Sequence, residues 1–289
     1  MTDRALAVVR AGALTTLQDQ GRPGHAHLGV PHSGALDPGT AALVNRLVGN
    51  PASAAVLETT LDGCALRTRC TVTAAVAGAP CAVTVDGRPA PWGAPVHVPA
   101  GALLEVGAAT AGVRSYVAVS GGFLAEPVLG SRSTDLLSGL GPAPLADGAV
   151  LPLGCPSTPS ARVDAVPLPA PPTELILRVT PGPRADWFTP EALRTFTTRA
   201  YRVSPASNRI GLRTEGPVLE RARAGELASE GMVLGAVQVP PDGHPVVFLA
   251  DHPTTGGYPV IAVVRAGDLA AAAQAVPGTP VRFVGVRRR

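Results

Sequence analysis

The sequence contains no lysine, so all 24 of its basic side chains are arginines. No side-chain amine is available to form a Schiff base with a carbonyl substrate or with pyridoxal phosphate. A Walker-type phosphate loop is excluded as well, because that loop places a lysine on the phosphates. Covalent biotin is attached to a lysine amine, so this chain carries none, and any biotin must come from another protein.

Aromatic residues are also scarce, at 3% of the chain, and the net charge is only +3. Nucleic-acid binding relies on aromatic stacking or on a strongly basic face, so we expect no nucleic-acid partner. The four cysteines form no CxxC pair, and no His/Cys cluster has the spacing of a zinc site. We therefore predict reduced structural cysteines and no metal site.

Long apolar runs are missing too. The run at residues 5–9 is shorter than a signal-peptide core of roughly 7–15 apolar residues. No segment reaches the roughly 18 apolar residues that a membrane helix needs. The sequence therefore predicts a cytoplasmic protein with no membrane partner.

The chain does contain many short apolar runs, which alternate with 33 glycines and 31 prolines. This punctuation is typical of β-sandwiches and barrels. We predict a mainly β fold with a few short helices, in an N-terminal barrel-like unit (residues 1–155) and a C-terminal unit (174–289). The Pro-rich residues 156–173 are predicted to form an extended connection, and the arginines at 287–289 a solvated tail.

Helix and turn signals are local and specific. Asp37-Pro38 and Thr189-Pro190 each combine an N-cap residue with proline at the first helical position. Asp268 is a candidate cap for a last short helix, and Asp86-Gly87 a hairpin turn. Strands are predicted at residues 71–77, 81–85, 114–120, 235–239, 246–250, 260–264 and 281–286.

Two N-terminal segments carry candidate binding residues. Gln18, Asp19 and Arg22 lie among glycines, which let a backbone approach a ligand closely. Taken alone, this segment favours a turn in which Asp19 and Arg22 form a surface ion pair. Ser33 and Asp37 lie in a loop that enters a helix N-terminus, a suitable place for an anion.

Further along the first half, Glu58 lies among apolar residues and is a candidate catalytic carboxylate, with a paired structural glutamate as the alternative. Ser131, Arg132 and Ser133 follow a glycine and are candidates to hold a phosphate through hydroxyls, amides and one guanidinium. An ordinary turn explains this loop as well.

Polar residues are densest from residue 229 to residue 259. Glu230 and Asp251 are candidate catalytic carboxylates, and a polar residue in or beside a strand is costly unless it is hydrogen-bonded. Gly256-Gly257 also fits a plain hairpin turn between the strands at 246–250 and 260–264. The candidate substrate-binding residues of this half are Asn208, Arg209, Gln238, Thr254, Thr255, Gly256, Gly257 and Tyr258.

Several of these blocks resemble one known family. They are LTTLQDQGRPG, GVPHSGALD, NRLVGNPASAAVLETTLDG, SNRIGLR and SEGMVLGAVQVPPDGHPVVFLADHPTTGGYP. In this order they are similar to the biotin-dependent carboxyltransferase-like family, also called allophanate hydrolase subunit 2-like or KipA-like. The resemblance extends from about residue 8 to residue 284. His244 and His252 stand where many relatives have other residues, which weakens any catalytic role for them.

The resemblance implies two cyclophilin-like β-barrel units and a heteromeric complex. Members of this type are the C-type subunits of ATP-dependent 5-oxoprolinases, which open a lactam to glutamate with a B-type (KipI-like) subunit and an A-type lactam-hydrolase subunit. The implied cofactor is ATP with Mg, bound here or on a partner subunit. The isolated chain is then expected to be inactive.

Two other activities remain open at this stage. One is carboxyl transfer to urea or another amide, with biotin borne by another protein. The other is regulatory binding to a KipI-like kinase inhibitor without turnover. In the 5-oxoprolinase hypothesis, arginines bind substrate carboxylate or phosphate, and Glu58, Glu230 or Asp251 transfers a proton.

Overall fold

The computed structural model describes residues 4–161, 166–225 and 227–286. These residues form 20 β-strands, three α-helices and two 3-10 helices, which confirms a mainly β fold with few short helices. Residues 162–165 of the predicted connection and the arginines at 287–289 lie outside the described residues.

The chain divides into two compact units, and each is built from three segments. The N-terminal unit comprises Met1–Arg22, Asp37–Asp135 and Gly139–Pro171. The C-terminal unit comprises Pro23–Leu36, Leu136–Ser138 and Pro172–Arg289. The two short excursions into the C-terminal unit have no counterpart in the contiguous ranges expected from the sequence.

The N-terminal unit contains eleven strands in two sheets. Its strands are β1 (Ala5–Arg10), β2 (Leu14–Gln18), β3 (Val56–Thr60), β4 (Cys64–Thr68), β5 (Val72–Gly78), β6 (Cys81–Val85), β7 (Arg88–Ala90), β8 (Pro95–Val98), β9 (Leu103–Ala109), β10 (Arg114–Val119) and β11 (Val150–Pro152). One sheet has the order β11-β1-β4-β9-β6-β7, and the other has the order β2-β3-β10-β5-β8. Both sheets contribute buried side chains to a single apolar core, so this unit encloses its core between two sheets.

Local sequence signals set the turns and the helix of this unit. Asp86 and Gly87 both have positive φ angles, 48° and 74°, which is the geometry of a tight hairpin turn between β6 and β7. Helix α1 (Pro38–Leu47) begins after Asp37, whose carboxylate accepts a hydrogen bond from the backbone N–H of Thr40 at 2.9 Å. Both predictions are confirmed.

The C-terminal unit is built around a closed seven-stranded barrel. Its strands are β12 (Leu175–Pro181), β13 (Tyr201–Val203), β14 (Gly211–Glu215), β15 (Glu230–Gly231), β16 (Ala236–Gln238), β17 (Val246–Phe248), β18 (Thr255–Gly256), β19 (Val260–Val264) and β20 (Pro280–Gly285). The barrel order is β12-β19-β16-β17-β14-β13-β20, while β15 and β18 form a separate two-stranded sheet. Among the described residues, a closed barrel is assigned in the C-terminal unit, whereas the strands of the N-terminal unit form two open sheets.

Strand β12 shows how alternating side chains fill the interior of the barrel. In β12, Leu175, Leu177 and Val179 are buried in the core, whereas Ile176 and Arg178 between them are exposed. Successive side chains of a strand point to opposite faces, so an alternating sequence supplies one core-facing row. Strands β13 and β20 alternate as well, whereas β16 and β17 are buried throughout.

Two further helices belong to this unit. Helix α2 (Pro190–Thr198) is capped by Thr189, as predicted, and buries Phe196 in the barrel core. Helix α3 (Ala266–Ala272) has Arg265 at its N-cap, so the prediction that Asp268 caps it is wrong. Asp268 lies in the first turn and accepts hydrogen bonds from Arg178 instead.

The alternative interpretation of Gly256-Gly257, a plain hairpin turn between two adjacent strands, is not what the structure shows. The strands β17 and β19 both pair with β16 and not with each other. Gly256 belongs to β18, which pairs with β15. The segment between β17 and β19 therefore contributes β18 to a two-stranded flap, and β15, which precedes β16, is the other strand of this flap.

The cap of α2 gives a stability prediction. Thr189→Ala removes the side-chain acceptor for the N–H of Ala192, a 3.1 Å hydrogen bond, and we expect a loss of about 1 kcal/mol in the free energy of unfolding. Urea unfolding followed by circular dichroism measures it. Thr189→Ser keeps the acceptor and should unfold like the wild type; equal stability of the Ala variant would contradict the assignment of the cap.

Candidate functional site

Asp19 organises the loop that was predicted to hold a phosphate. Its Oδ1 accepts hydrogen bonds from Ser131 Oγ and Ser133 Oγ, both at 2.6 Å, and from Gly21 N at 2.8 Å. Its Oδ2 accepts one from Arg132 N at 2.7 Å. The hydroxyls and the amide expected for a phosphate are thus engaged by a carboxylate of the chain itself. Phosphate binding by Ser131, Arg132 and Ser133 stays a prediction. The donors that it would need already bind Asp19.

Gln18 and Arg22 lie beside this loop and are almost completely buried. Gln18 Nε2 donates to Thr16 Oγ1 at 2.9 Å and to the carbonyl of Thr134 at 3.0 Å. Arg22 Nη2 donates to the carbonyl of Ser133. Gln18 Oε1 and Arg22 Nη1 have no hydrogen-bond partner among the described residues. A buried polar atom without a partner is rare and costly, so Gln18 Oε1 is a candidate for a ligand or water contact. Arg22 Nη1 lies 3.9 Å from Asp135 Oδ2 in a fully buried ion pair.

Glu58 occupies the centre of the second N-terminal sheet. It lies in β3 opposite Tyr116 of β10, is 2% exposed, and its Oε1 is 3.4 Å from Arg114 Nε. Burial, followed by the charges of Glu58 and Asp37, raises the pKa of Tyr116 well above its usual value. Its hydroxyl accepts a hydrogen bond from Asp37 N at 2.8 Å. The phenol therefore stays protonated beside a buried, ion-paired carboxylate.

Among the described carboxylates of the C-terminal unit, Asp251 is the most deeply buried. Arg209 donates to both of its oxygens, Nε to Oδ2 at 2.9 Å and Nη2 to Oδ1 at 3.0 Å. Ser33 Oγ donates to Oδ1 at 2.8 Å, and Leu136 N donates to Oδ2 at 3.2 Å. Arg209 Nη2 also reaches the carbonyl of Gly34 at 2.7 Å. The two carboxylate oxygens of Asp251 thus accept hydrogen bonds from four donors, and the side chain has no exposed surface. Because these donors belong to Arg209, Ser33 and Leu136, the pair of Asp251 and Arg209 joins separate segments of the chain.

Glu230 is the more accessible of the two predicted carboxylates in this unit. Its side chain is 26% exposed and forms a bidentate ion pair with Arg184. In the flap, Glu230 is paired with Gly256, and the neighbouring Gly231 with Thr255. The structure thus brings Glu230, Thr255 and Gly256 together, as the density of polar residues suggested.

Gln238 lies beneath the same flap, on the outer face of the barrel. Its Nε2 donates to the carbonyl of Tyr258 at 3.1 Å. A Cβ added to Gly256 would come within 2.8 Å of this Nε2 and within 3.4 Å of Met232. A side chain at position 256 would therefore displace the Gln238 amide from its present position beneath the flap.

The remaining predicted residues vary in exposure. Asn208 Oδ1 accepts hydrogen bonds from Ile210 N at 2.9 Å and Gly211 N at 3.2 Å, so its side chain stabilises a turn. Thr254 and Gly257 are half-buried, and Tyr258 is exposed. These flap residues share the segment that carries Thr255 and Gly256.

Three site residues were not selected from the sequence. Arg184 precedes a 3-10 helix (Ala185–Trp187), far in the chain from its partner Glu230. Arg114 and Tyr116 lie in strand β10, all of whose residues are buried. Two polar residues within a strand predicted from its apolar residues were the sequence signal that could have identified them.

His252 was given little weight in the sequence analysis. It is 6% exposed, its ring stacks on that of Phe248, and its Nδ1 is 2.7 Å from the carbonyl oxygen of Pro253. Burial lowers the pKa of His252, which favours the neutral ring.

Two further chemical properties bear on the site. Within residues 4–161, 166–225 and 227–286, no cluster of three or more His, Cys, Asp or Glu side chains is arranged to hold a metal ion. No helix of the same residues is long and apolar enough to cross a membrane.

Comparison with known proteins yields two groups of relatives by sequence. The chain is 37% identical over 286 residues to the C-type subunit of the 5-oxoprolinase of Escherichia coli (strain K12), covering 96% of this chain and 90% of that protein. It is 33% identical over 308 residues to urea amidolyase of Saccharomyces cerevisiae, covering 97% of this chain and 16% of that protein.

Solved structures agree with this division. The crystal structure of TTHA0988 matches with a TM-score of 0.88 and 38% identity, covering 97% of this chain and 56% of that chain. The urea amidolyase of K. lactis matches with a TM-score of 0.89 and 30% identity, covering 99% of this chain and 19% of that chain. This chain therefore spans little more than half of one solved relative and about a fifth of the other.

The family profile described as the carboxyltransferase domain, subdomain A and B, matches residues 28–285. That range includes all of the C-terminal barrel and most of the N-terminal unit. The chain belongs to the carboxyltransferase-domain family, subdomains A and B.

Proposed function

We propose that this chain is the C-type subunit of a multi-subunit ATP-dependent 5-oxoprolinase, which opens the lactam of 5-oxoproline to glutamate. The observation that carries the proposal is the match in length. The chain covers 90% of the C-type subunit of the Escherichia coli 5-oxoprolinase, but only 16% of the yeast urea amidolyase. A-type and B-type (KipI-like) subunits are the proposed partners, and the cytoplasm the proposed location.

The substrate has three polar groups to be matched, namely a lactam N–H, a lactam carbonyl and a carboxylate. Around the flap, Gln238, Thr254 and Thr255 supply amide and hydroxyl groups, and Arg184 supplies a guanidinium held by Glu230. Because Nε and Nη2 of Arg184 already donate to Glu230, its Nη1 is the donor that we propose for the substrate carboxylate. We assign substrate binding to this cluster and proton transfer to Glu230, its most accessible carboxylate.

Nucleotide binding is assigned to a partner subunit. ATP with Mg is the proposed cofactor of the complex, and the candidate phosphate loop of this chain already holds Asp19 through Ser131, Arg132 and Ser133. These residues therefore do not fit a triphosphate without rearrangement of the loop.

Carboxyl transfer is the second candidate function. The family profile and the urea amidolyase relatives support it, and the biotin would be borne by another protein because this chain has no lysine. Avidin inhibits such an activity, whereas a 5-oxoprolinase is insensitive to avidin.

Glu230→Gln tests the proton-transfer assignment. In the assembled complex we expect 5-oxoproline turnover to fall by about 10²–10⁴-fold, the usual contribution of general acid–base catalysis. The measurement is glutamate formation in the presence of ATP. Glu220→Gln, at an exposed position of the same unit, is the matched control and should retain wild-type turnover. Normal turnover by the Glu230 variant would exclude the assignment.

Asp251→Asn tests whether Asp251 joins segments rather than transferring protons. The change leaves the buried guanidinium of Arg209 without a countercharge, and breaking such a buried pair costs about 3–5 kcal/mol of unfolding free energy. Urea unfolding of the isolated chain measures the loss. Asp242→Asn, whose side chain is 61% exposed, should be neutral. A stable Asp251→Asn protein with abolished turnover would instead indicate a direct chemical role.

The proposed role in a complex predicts that the isolated chain is inactive. Purified chain with 5-oxoproline and ATP should form no glutamate, and addition of the A-type and B-type subunits should produce ATP-dependent turnover. Glutamate formation by the chain alone would overturn the multi-subunit proposal. Binding of a KipI-like protein without any turnover would favour a regulatory function.

A further inference from the structure

The flap is too small to hold its own position. Its strands β15 and β18 are joined by two residue pairs. One further backbone hydrogen bond, from Met232 N to the carbonyl of Thr254 at 2.8 Å, continues the ribbon. A two-stranded ribbon is marginally stable at best in water. The position of the flap on the barrel therefore depends on its contacts with the rest of the C-terminal unit.

Met232, which directly follows β15, makes an apolar contact of this kind. It is 8% exposed and packs in a small cluster with Ala236, Val246, Phe248 and Val260. The sequence neighbours Val237, Val247 and Ile261 belong to the core inside the barrel. Because successive side chains of a strand point to opposite faces, the small cluster lies on the outer face. Met232 therefore seats the flap on the outside of the barrel.

Gln238 makes a polar contact with the flap from below. Its side chain is buried on the same outer face, and its Nε2 donates to the carbonyl of Tyr258 at 3.1 Å. The same Nε2 is 3.9 Å from Met232 Sδ. One amide thus contacts the chain just after each of the two flap strands. If the flap lifted, this donor would lose its acceptor, which is costly for a buried polar group.

The ion pair of Arg184 and Glu230 is a third connection to the flap. The two side chains are 36% and 26% exposed, and ion pairs that water reaches contribute little to stability. The proposed proton transfer also requires the Glu230 carboxylate to remain available. This ion pair alone therefore does not account for the position of the flap.

The closest approach between the flap and the amide is at Gly256. A Cβ added there would lie 2.8 Å from Gln238 Nε2 and 3.4 Å from Met232. The φ angle of Gly256 lies outside the left-handed region, so alanine at this position strains no backbone. The amide is the end of a flexible side chain, and an added methyl group therefore acts by pushing the amide aside.

We propose that Gln238 is a positioning residue, whose amide latches the flap onto the barrel and so keeps Glu230 and Thr255 in place for the substrate. The inference rests on the proposed function, which assigns proton transfer to Glu230. Substrate binds the latched flap, so the fraction of molecules with a latched flap sets the apparent affinity. Loss of the latch therefore raises KM, whereas the chemistry after binding, and with it kcat, is retained.

One methyl group added to each flap strand gives a matched test on the isolated chain. Gly256→Ala displaces the Gln238 amide, so we expect the flap amides to exchange with deuterium about tenfold faster, close to the rate of an unstructured peptide. Gly231→Ala, whose methyl group has no atom within 4 Å, should exchange within about twofold of wild type. Mass spectrometry of peptides spanning residues 229–234 and 253–259 measures both rates. The measurement needs no substrate, so a direct contact between Gln238 and substrate does not contribute.

A double variant tests whether the methyl group acts through Gln238. Gln238→Ala removes the amide and should also release the flap. In the Gln238→Ala background the added methyl group meets no amide, so Gly256→Ala should change exchange by less than about twofold. Protection of β12 in the barrel is the internal control for folding and should match wild type in every variant. Effects that simply multiply would show that the two residues act independently, and would overturn the latch.

Kinetics of the assembled complex separate positioning from chemistry. Gly256→Ala and Gln238→Ala should raise the KM for 5-oxoproline about tenfold and leave kcat within about twofold of wild type. Glu230→Gln, in contrast, lowers kcat. A fall in kcat at unchanged KM in the Gln238 variant would overturn the positioning role.

The exchange data and the turnover data fail separately. If the wild-type complex does not turn over 5-oxoproline, the proposed function fails, while the comparison of Gly256→Ala with Gly231→Ala still decides the latch. Wild-type exchange in Gly256→Ala, or equal acceleration by Gly231→Ala, would overturn the latch even in a complex with full turnover.

Discussion

The buried pair of Asp251 and Arg209 is the interaction on which the C-terminal unit depends. Two charged side chains with almost no exposed surface are tolerable only when their hydrogen-bonding capacity is filled. Here the missing donors and acceptors come from distant parts of the chain, namely Ser33, Gly34 and Leu136. The pair therefore requires the excursions Pro23–Leu36 and Leu136–Ser138 to belong to the C-terminal unit. The family blocks GVPHSGALD and SNRIGLR contribute to a single charged core.

The N-terminal unit satisfies the half-buried charge of Asp19 in a parallel way. A loop of two serines and a backbone amide offers the donors of an anion site, and Asp19 occupies it as a built-in anion. The same residues that suggested phosphate binding in the sequence thus stabilise the turn after β2. Gln18 and Arg22 differ, since each retains one buried polar atom without a protein hydrogen bond among the described residues. Arg22 Nη1 is nevertheless 3.9 Å from Asp135 Oδ2, so its charge is balanced within the unit.

Local signals were sufficient for the elements whose cause is local. The caps Asp37 and Thr189 fix helix starts through contacts within three residues, and Asp86 determines a turn by its own backbone angle. Predictions failed where a distant partner decided the outcome. Asp268 is engaged by Arg178 on β12, and Gly256 pairs with Glu230 across the flap. The candidate site shows the same limit, because residue type predicted Glu230 but not Arg184, which defines its environment.

The absence of lysine restricts the chemistry that the candidate site can perform. Arginine binds and orients anions but does not release its proton near neutral pH. Tyr116 is kept protonated by burial, and burial raises the pKa of the Cys64 thiol to about 12, so neither acts as a base. Glu58 and Asp251 are ion-paired with buried arginines. Of the predicted carboxylates, Glu230 combines an ion pair with access to solvent, which is the reason for proposing the proton-transfer step at the flap.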